Sequence, residues 1–308
     1  MRLPRPFYQL PVLFDIARLQ AEVASLPEAA WAPHPDGVAG NSAARLITAE
    51  GGENDAHVGQ MLPTRWLAQM PFVRQALASF GVVWSRSRLM RLGPGVGVPE
   101  HADINYHWHT RVRLHIPVFT TPEVRFHCGG EAVHMAAGEA WIFDNWRRHH
   151  VANGAAQPRI HLVADTSGTA AFWRFALADT PPRDDWRRLA WNPQADPAVL
   201  TEADQRSPAM PAAEVQLLID DLCAELQGGA AQADAFTRLL QGFVQDWRQL
   251  GALHGTQGRA LPAFQRLAIG VHQAARALAD GLVMRTNGAP ALLVLEKRVL
   301  QHLVAAGL

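Results

Sequence analysis

The chain has 308 residues, and its 28 lysines and arginines balance 28 aspartates and glutamates, so the formal charge at pH 7 is zero. A chain without net charge has no general electrostatic attraction to nucleic acid or to an anionic membrane, and we expect neither as a partner. Two cysteines, Cys128 and Cys223, are too few for a disulfide framework.

The N-terminus and the hydrophobic runs predict a cytoplasmic protein without a membrane span. The first residues, MRLPRPFYQLPVLFDIARL, lack the uninterrupted apolar core and the small-residue cleavage site of a signal peptide. No run approaches the roughly 18 to 20 apolar residues that cross a bilayer. Because the chain also has no net charge, a small or locally recognised substrate is the expected partner.

Residues 1 to 80 predict a helical flank with a long loop. Helix-like spacing occurs in FDIARLQAEVASL and in TRWLAQMPFVRQALASFG, which ends at the capping glycine Gly81. The Gly-, Asn- and Asp-rich stretch PDGVAGNSAARLITAEGGENDAH between them predicts a loop.

Residues 82 to 178 consist of short segments in which polar and apolar residues alternate, unlike the helix-like spacing before them. Turn sequences such as GPG, TTPE, CGGE and AAGE separate these segments. Alternation with period two, broken by turns at short intervals, is typical of a β-sandwich or jelly roll.

The C-terminal hundred residues predict a helical bundle. After a proline- and charge-rich connector, four segments show apolar residues at i, i+3 and i+4. Their apolar stripes form either the core of the bundle or a homodimer interface. We expect one domain over residues 1–180, a connector over 181–204 and a helical domain over 205–308.

A metal site is indicated by the stretch PEHADINYHWHTRVRLHIPV. In a strand, residues i and i+2 point to the same side, so His101 and Asp103 can offer an imidazole and a carboxylate to one ion. A third ligand, His149 or His150, follows the hydrophobic strand AWIF. Two histidines and one carboxylate form the ligand set of non-haem Fe(II) oxygenases, and spacing alone leaves the choice between the adjacent histidines open.

Two further strands carry arginine and histidine on one face. Arg111, Arg113 and His115 alternate with apolar residues in RVRLHIPV, and Arg159 and His161 do so in RIHLVAD. One interpretation is a solvated outer face. The other is a polar barrel interior in which an arginine binds a carboxylate through two hydrogen bonds.

These motifs resemble a known family. From about residue 85 to residue 165, the segments VPEHADI, RVRLHIPV and HMAAGEAWIFDNWRRHHVAN, with Arg159 six residues after Asn153, are similar to aspartyl/asparaginyl β-hydroxylase-like Fe(II)/2-oxoglutarate dioxygenases. Within that group the pattern is most similar to bacterial L-proline cis-3-hydroxylase. The resemblance implies an α+β fold: a double-stranded β-helix (jelly roll, cupin-like) core with an N-terminal helical flank and a C-terminal helical bundle.

The resemblance also implies roles for individual residues. It makes His101, Asp103 and His149 the metal ligands and Arg159 the partner of the distal carboxylate of 2-oxoglutarate. Arg113 and His115 match positions beside the chelating end of that co-substrate. The aspartyl hydroxylases have a non-coordinating residue where Asp103 stands, so their substrate cannot be transferred to this chain.

The implied reaction uses Fe(II), 2-oxoglutarate and O2 to hydroxylate an amino acid, a carrier-tethered amino acid or a peptide side chain, with succinate and CO2 as co-products. Residues proposed for the substrate rim are Arg45, Arg86, His107 and Trp146. Two alternatives stay open: a cupin-type metal enzyme that does not use 2-oxoglutarate, and a non-catalytic metal or ligand sensor.

Overall fold

A computed structural model describes residues 1–204, 207–255 and 261–304. In chain order, the strands are β1 (Phe7–Phe14), β2 (Trp31–Pro33), β3 (Asn41–Ala49), β4 (Met61–Pro63), β5 (Ser87–Leu92), β6 (Gly97–His101), β7 (Val112–Phe119), β8 (Val124–Cys128), β9 (Glu131–Val133), β10 (Glu139–Phe143), β11 (His149–Asn153), β12 (Arg159–Thr166), β13 (Arg187–Leu189), β14 (Leu226–Gln227) and β15 (Val283–Met284). The helices are α1 (Ile16–Ala24), α2 (Arg65–Ala68), α3 (Pro71–Ala78), α4 (His107–Thr110), α5 (Ala170–Leu177), α6 (Ala212–Cys223), α7 (Ala230–His254), α8 (Leu261–Leu278) and α9 (Ala291–Val294).

Two β-sheets form the first of two compact units, which contains residues 1–101 and 110–204. The large sheet has the order β13-β1-β10-β7-β12-β5-β3-β2, with β4 paired to β3, and the small sheet has the order β6-β11-β8-β9. All pairings are antiparallel except that of β13 with β1. This arrangement confirms the expected jelly roll in an α+β protein.

The alternation in β7 and β12 decides which face of the large sheet is apolar. Leu114 and Ile116 of β7 and Leu162 of β12 contribute to the main core, together with residues of helices α1 and α3. The opposite face carries the arginines and histidines, of which His115, Arg159 and His161 are buried and Arg113 is partly buried. Between the sheets, Phe7 and Phe126 contribute to a second, smaller apolar cluster. The polar face is therefore the interior of the barrel and not a solvated surface.

The N-terminal segment contains both helices and strands. Helix α1 begins after Asp15, whose carboxylate accepts a hydrogen bond from the Arg18 amide, as an N-cap does. The second predicted helix is divided into α2 and α3, because Pro71 begins a new helix. The prediction of a continuous loop was wrong for Asn41–Ala49, which form β3 and pair with β5.

The second unit contains residues 102–109 and the described residues of 205–308. Helices α6, α7 and α8 bury apolar residues such as Leu218, Phe236 and Phe264, and β14 pairs with β15. After α9 the chain continues as a π-helical turn, Leu295–Val299, and a 3-10 turn, Leu300–His302. The last three residues of the final predicted helix, 305–307, lie outside the described residues.

The structure assigns two segments differently from the predicted domain boundaries. Residues 181–204 group with the first unit, and β13 within them pairs with β1. Residues 102–109 group with the second unit. In the described part of the chain, no helix has both the length and the apolar character that a bilayer crossing requires.

Candidate metal centre

Three side chains with metal-binding atoms lie together where strand β6 ends. His101 of β6 is opposite His149 of β11 in the antiparallel ladder, and their ring centroids are 4.3 Å apart. Asp103 follows His101 by two residues, and one ligand atom from each of the three side chains lies within 4.8 Å of the others. Two imidazoles and a carboxylate leave coordination positions open for co-substrate and O2, which fits Fe(II).

Backbone carbonyl groups orient both imidazole rings. Nδ1 of His101 lies 2.8 Å from the Pro99 carbonyl oxygen, and Nδ1 of His149 lies 2.9 Å from that of Arg147. A carbonyl oxygen only accepts hydrogen bonds, so Nδ1 carries the proton in each ring by inference from these contacts. Nε2 then carries the lone pair, and a neutral imidazole fixed in this way is the usual form of a metal-binding histidine.

The adjacent histidines face opposite sides of the small sheet. His149 is 5% exposed, and its ring packs edge-on against Phe143, at 4.8 Å between centroids. The His150 ring instead stacks on His127, with centroids 4.2 Å apart and an interplanar angle of 7°. Only His149 is grouped with His101 and Asp103, which favours it as the third ligand.

Arg159 lies on the polar interior face, where no carboxylate of the described residues pairs with it. Its side chain is buried, with the residue 3% exposed. Its Nη2 donates to Nδ1 of His161 at 2.6 Å, and its Nε has no hydrogen-bond partner among the described residues. Burial lowers the pKa of Arg159 to about 9, because the interior disfavours the cation.

His115 and His161 lie beside this guanidinium and are neutral. Their Nδ1 atoms are 3.4 Å apart, and neither Nε2 atom has a hydrogen-bond partner in the part of the chain that the structure describes. Burial, followed by the charge of Arg159, lowers the pKa of both histidines well below the ordinary value. The Arg159 charge is therefore compensated by neither ring.

Phe143 and Phe126 connect the arginine cluster with the candidate metal ligands. The His115 ring packs edge-on against both phenylalanines, at centroid distances of 5.5 and 5.3 Å. The same two phenylalanines also pack against His149. The large and small sheets thus place Arg159, His115 and His149 along one continuous interior.

The other predicted co-substrate residue, Arg113, is held by a carboxylate. Its Nε and Nη2 donate to the two Asp165 oxygens at 2.7 and 2.9 Å. Asp165 is fully buried and was not predicted as a site residue. The sequence contains its signal, since Asp165 has the same parity as Arg159 and His161 in RIHLVAD.

The four predicted substrate-rim residues do not form one group. Arg45 and Arg86 both contact Asp55, and Arg88 contacts it as well. His107 lies in the second unit, where its ring packs against Trp108. Trp146 is buried in the first unit.

Comparison with known proteins identifies a family for the central segment. Residues 59–168 match the model of the aspartyl/asparaginyl beta-hydroxylase family. The match spans about a third of the chain and includes all three candidate metal ligands and Arg159. It confirms the expected resemblance and the expected hydroxylase class, which implies Fe(II), 2-oxoglutarate and O2. A proline cis-3-hydroxylase specificity is not confirmed by it.

Two oxygenases are among the solved structures that are similar to part of this chain. An oxidoreductase of the 2OG-Fe(II) oxygenase family from Burkholderia pseudomallei is 18% identical, with a TM-score of 0.38 over 50% of this chain and 80% of that one. A prolyl-4-hydroxylase from Pseudomonas putida is 13% identical, with a TM-score of 0.36 over 54% of this chain and 95% of that one. None of the curated proteins matches the chain.

Proposed function

We propose that this chain, whose residues 59–168 match the aspartyl/asparaginyl beta-hydroxylase family, is an Fe(II)/2-oxoglutarate-dependent dioxygenase. The proposed reaction hydroxylates an unactivated carbon of an amino acid, a carrier-tethered amino acid or a peptide side chain and yields succinate and CO2. The observation that carries the proposal is Arg159, a buried guanidinium in the barrel that contains the candidate ligands, with no carboxylate partner in the described part of the chain.

A buried positive charge without a counter-ion is unfavourable, because the protein interior solvates it poorly. The two histidines that neighbour Arg159 are neutral and leave its charge uncompensated, so an anion bound in the barrel would stabilise the cluster. In 2-oxoglutarate, one carboxylate and the keto oxygen can bind a metal ion while the other carboxylate remains available. We propose that this second carboxylate binds Arg159 through two charge-assisted hydrogen bonds.

The chain's contribution to the reaction is binding, orientation and exclusion of water. His101, Asp103 and His149 would hold Fe(II), which when bound supplies the open coordination positions at which O2 and 2-oxoglutarate react. Phe126 and Phe143 pack between His149 and His115 and keep this part of the interior apolar.

The proposal is tested by measuring co-substrate binding and turnover separately. Calorimetric titration of 2-oxoglutarate into protein loaded anaerobically with Mn(II) should show binding that depends on the metal. After reconstitution with Fe(II), oxygen should produce succinate, and an amino-acid and peptide screen should yield a product heavier by one oxygen atom. A product without succinate would indicate a cupin-type enzyme, and 2-oxoglutarate binding without succinate would indicate a sensor.

A further inference from the structure

A second cluster of arginines lies on the same interior face as Arg159. Arg88 on β5 is directly opposite Arg45 on β3, and Arg86 precedes Arg88 by two residues, so their side chains share one face. All three contact one residue, Asp55. Arg45 donates to both carboxylate oxygens, at 3.3 and 2.5 Å, and Nη2 of Arg88 lies 2.8 Å from one of them.

Arg86 and Arg88 have unused hydrogen-bonding capacity although each is only 5% exposed. The Nε atom of each is buried and has no hydrogen-bond partner among the described residues. Arg86 contacts Asp55 through the backbone carbonyl oxygen, at 3.2 Å, and its Nη2 lies 3.7 Å from an Asp165 oxygen. A guanidinium that binds a carboxylate well uses two donors at once, and neither arginine does so with these partners.

Positive groups outnumber negative ones among the described side chains of this cluster. Arg113 joins it through Asp165, so four described guanidinium groups lie around two described carboxylates, those of Asp55 and Asp165. Asp165 is already bound by both donors of Arg113. Burial lowers the pKa of Arg86 to about 9 and also lowers that of Arg88. An additional anion would stabilise both cations.

The strand register separates this cluster from Arg159. Arg88 pairs with Val163 on β12, and Val163 pairs with His115 on β7, so Arg88 and His115 are about 10 Å apart across two strand spacings. Val163 follows Arg159 by four residues on the same strand, which is about 13 Å. An anion bound at Arg88 would therefore be distinct from the 2-oxoglutarate carboxylate proposed to bind Arg159, although both lie on the same interior face.

We propose that Arg45, Arg86 and Arg88 form a binding site for a carboxylate of the substrate, and that the Asp55 carboxylate occupies this site while no substrate is bound. The assignment of this anion as substrate rests on the proposed oxygenase function. Among the candidate substrates, the site selects those with a free carboxylate, on an amino acid or on an acidic side chain. It disfavours a carrier-tethered amino acid, whose carboxylate is consumed by the thioester.

Asp55 is suited to be displaced. It lies in the loop between β3 and β4, and its side chain is 27% exposed, far more than the 6% of its partner Arg88. The competing explanation is that Asp55 only fastens this loop to the barrel. The two explanations differ in what removal of the Asp55 charge does to anion binding.

The test compares acids with their amides as probes. Protein loaded with Mn(II) and 2-oxoglutarate is titrated calorimetrically with the free L-amino acids, with their α-carboxamides, and with N-acetyl-Ala-Asp-Ala-amide against N-acetyl-Ala-Asn-Ala-amide. We expect at least one acid to bind about tenfold or more tightly than its amide, the effect of one charge-assisted hydrogen bond. The amino-acid and peptide arms identify which kind of carboxylate the site takes.

Variants then assign the effect to the cluster. Arg88→Met should weaken acid binding by about tenfold or more and leave amide binding unchanged, whereas Asp55→Asn should strengthen acid binding because the internal competitor is removed. Arg91→Met is the matched control, since Arg91 lies on the same strand but binds Glu28 on the opposite face. If Arg88→Met does not fold, acid and amide binding by Arg88→Lys and Asp55→Asn are compared with the wild type instead.

The inference is overturned if no acid binds, if acids and amides bind equally, or if Asp55→Asn leaves acid binding unchanged or weakens it. Binding of 2-oxoglutarate is recorded for every variant, and we expect Arg88→Met to retain it. If 2-oxoglutarate does not bind the wild-type protein, the proposed oxygenase function fails. The acid and amide titrations are therefore repeated without 2-oxoglutarate, so that they decide the anion site by themselves.

Discussion

His149 lies directly opposite His101 in the antiparallel pair of β11 and β6, with ring centroids 4.3 Å apart. Because successive residues of a strand alternate between faces, this pairing directs the next residue, His150, away from His101. His150 stacks on His127 instead.

We expect His149→Ala to lower the affinity for Fe(II) or Co(II) by more than about a hundredfold. Removal of a group that only hydrogen-bonds to a metal ligand lowers metal affinity by about 10- to 100-fold, and removal of the ligand itself should cost more. His150→Ala should retain metal binding. Anaerobic calorimetry with either ion measures both variants. Retained metal binding in His149→Ala, together with loss in His150→Ala, would reverse the proposed assignment.

The Arg159→Met variant tests the proposed co-substrate contact. Removing one partner of a buried charge pair costs about 2 to 5 kcal/mol, so the KM for 2-oxoglutarate should rise between about 30-fold and several thousandfold. Metal affinity should stay near that of the wild type. Arg125→Met is the control, because Arg125 is exposed on β8. An unchanged KM in Arg159→Met would remove Arg159 from the site.

The polar interior was predictable because it depends on local alternation. Arg113 and His115 in one strand, and Arg159 and His161 in another, occupy alternate positions, and only the choice between inside and outside needed the structure. The Asp55 cluster was not predictable in the same way. Asp55 comes from a loop, and no periodicity relates it to Arg88 on a strand more than thirty residues later.

Strand β3 shows a second limit of sequence patterns. The segment NSAARLITA lies between glycine-rich stretches, and its small residues weaken the apolar alternation that identifies a strand. Its pairing with β5 makes it a strand, and that long-range contact is absent from the local sequence. The same pairing places Arg45 beside Arg88.

The buried, neutral His161 predicts a loss of stability in acid. Burial lowers its pKa well below the ordinary value in the folded protein, so the unfolded chain binds more protons once the pH falls below about 6.5. The contribution of neutral His161 to the free energy of unfolding is fully present above about pH 6.5, and it is lost as the pH falls toward the pKa of His161 in the folded protein. One such histidine contributes a slope of up to about 1.4 kcal/mol per pH unit.

The His161→Gln variant should therefore show a weaker dependence of unfolding free energy on pH between about pH 5 and about pH 6.5. Urea unfolding of metal-free protein at several pH values measures this difference. His254→Gln provides the control, since His254 is exposed at the end of α7. Parallel pH curves for wild type and His161→Gln would show that His161 is not held neutral by burial.

Glu22 connects two helices of the N-terminal flank. Glu22 is 5% exposed. Its carboxylate oxygens accept hydrogen bonds from the backbone amides of Phe72 and Val73, at distances of 2.9 to 3.0 Å. These amides belong to the first turn of α3, where Met70 provides no side-chain cap. A carboxylate at a helix N-terminus satisfies amides without intrahelical partners and interacts favourably with the helix dipole.

We expect Glu22→Gln to lower the free energy of unfolding by about 1 to 3 kcal/mol, because a buried hydrogen bond to a charged group is replaced by a weaker one. Glu53→Gln is the matched control, since its ion pair with Arg65 is solvent-exposed and should contribute less than about 1 kcal/mol. Chemical denaturation of both variants measures the difference. Equal losses in the two variants would mean that the buried Glu22 carboxylate contributes no more than an exposed ion pair and does not cap α3.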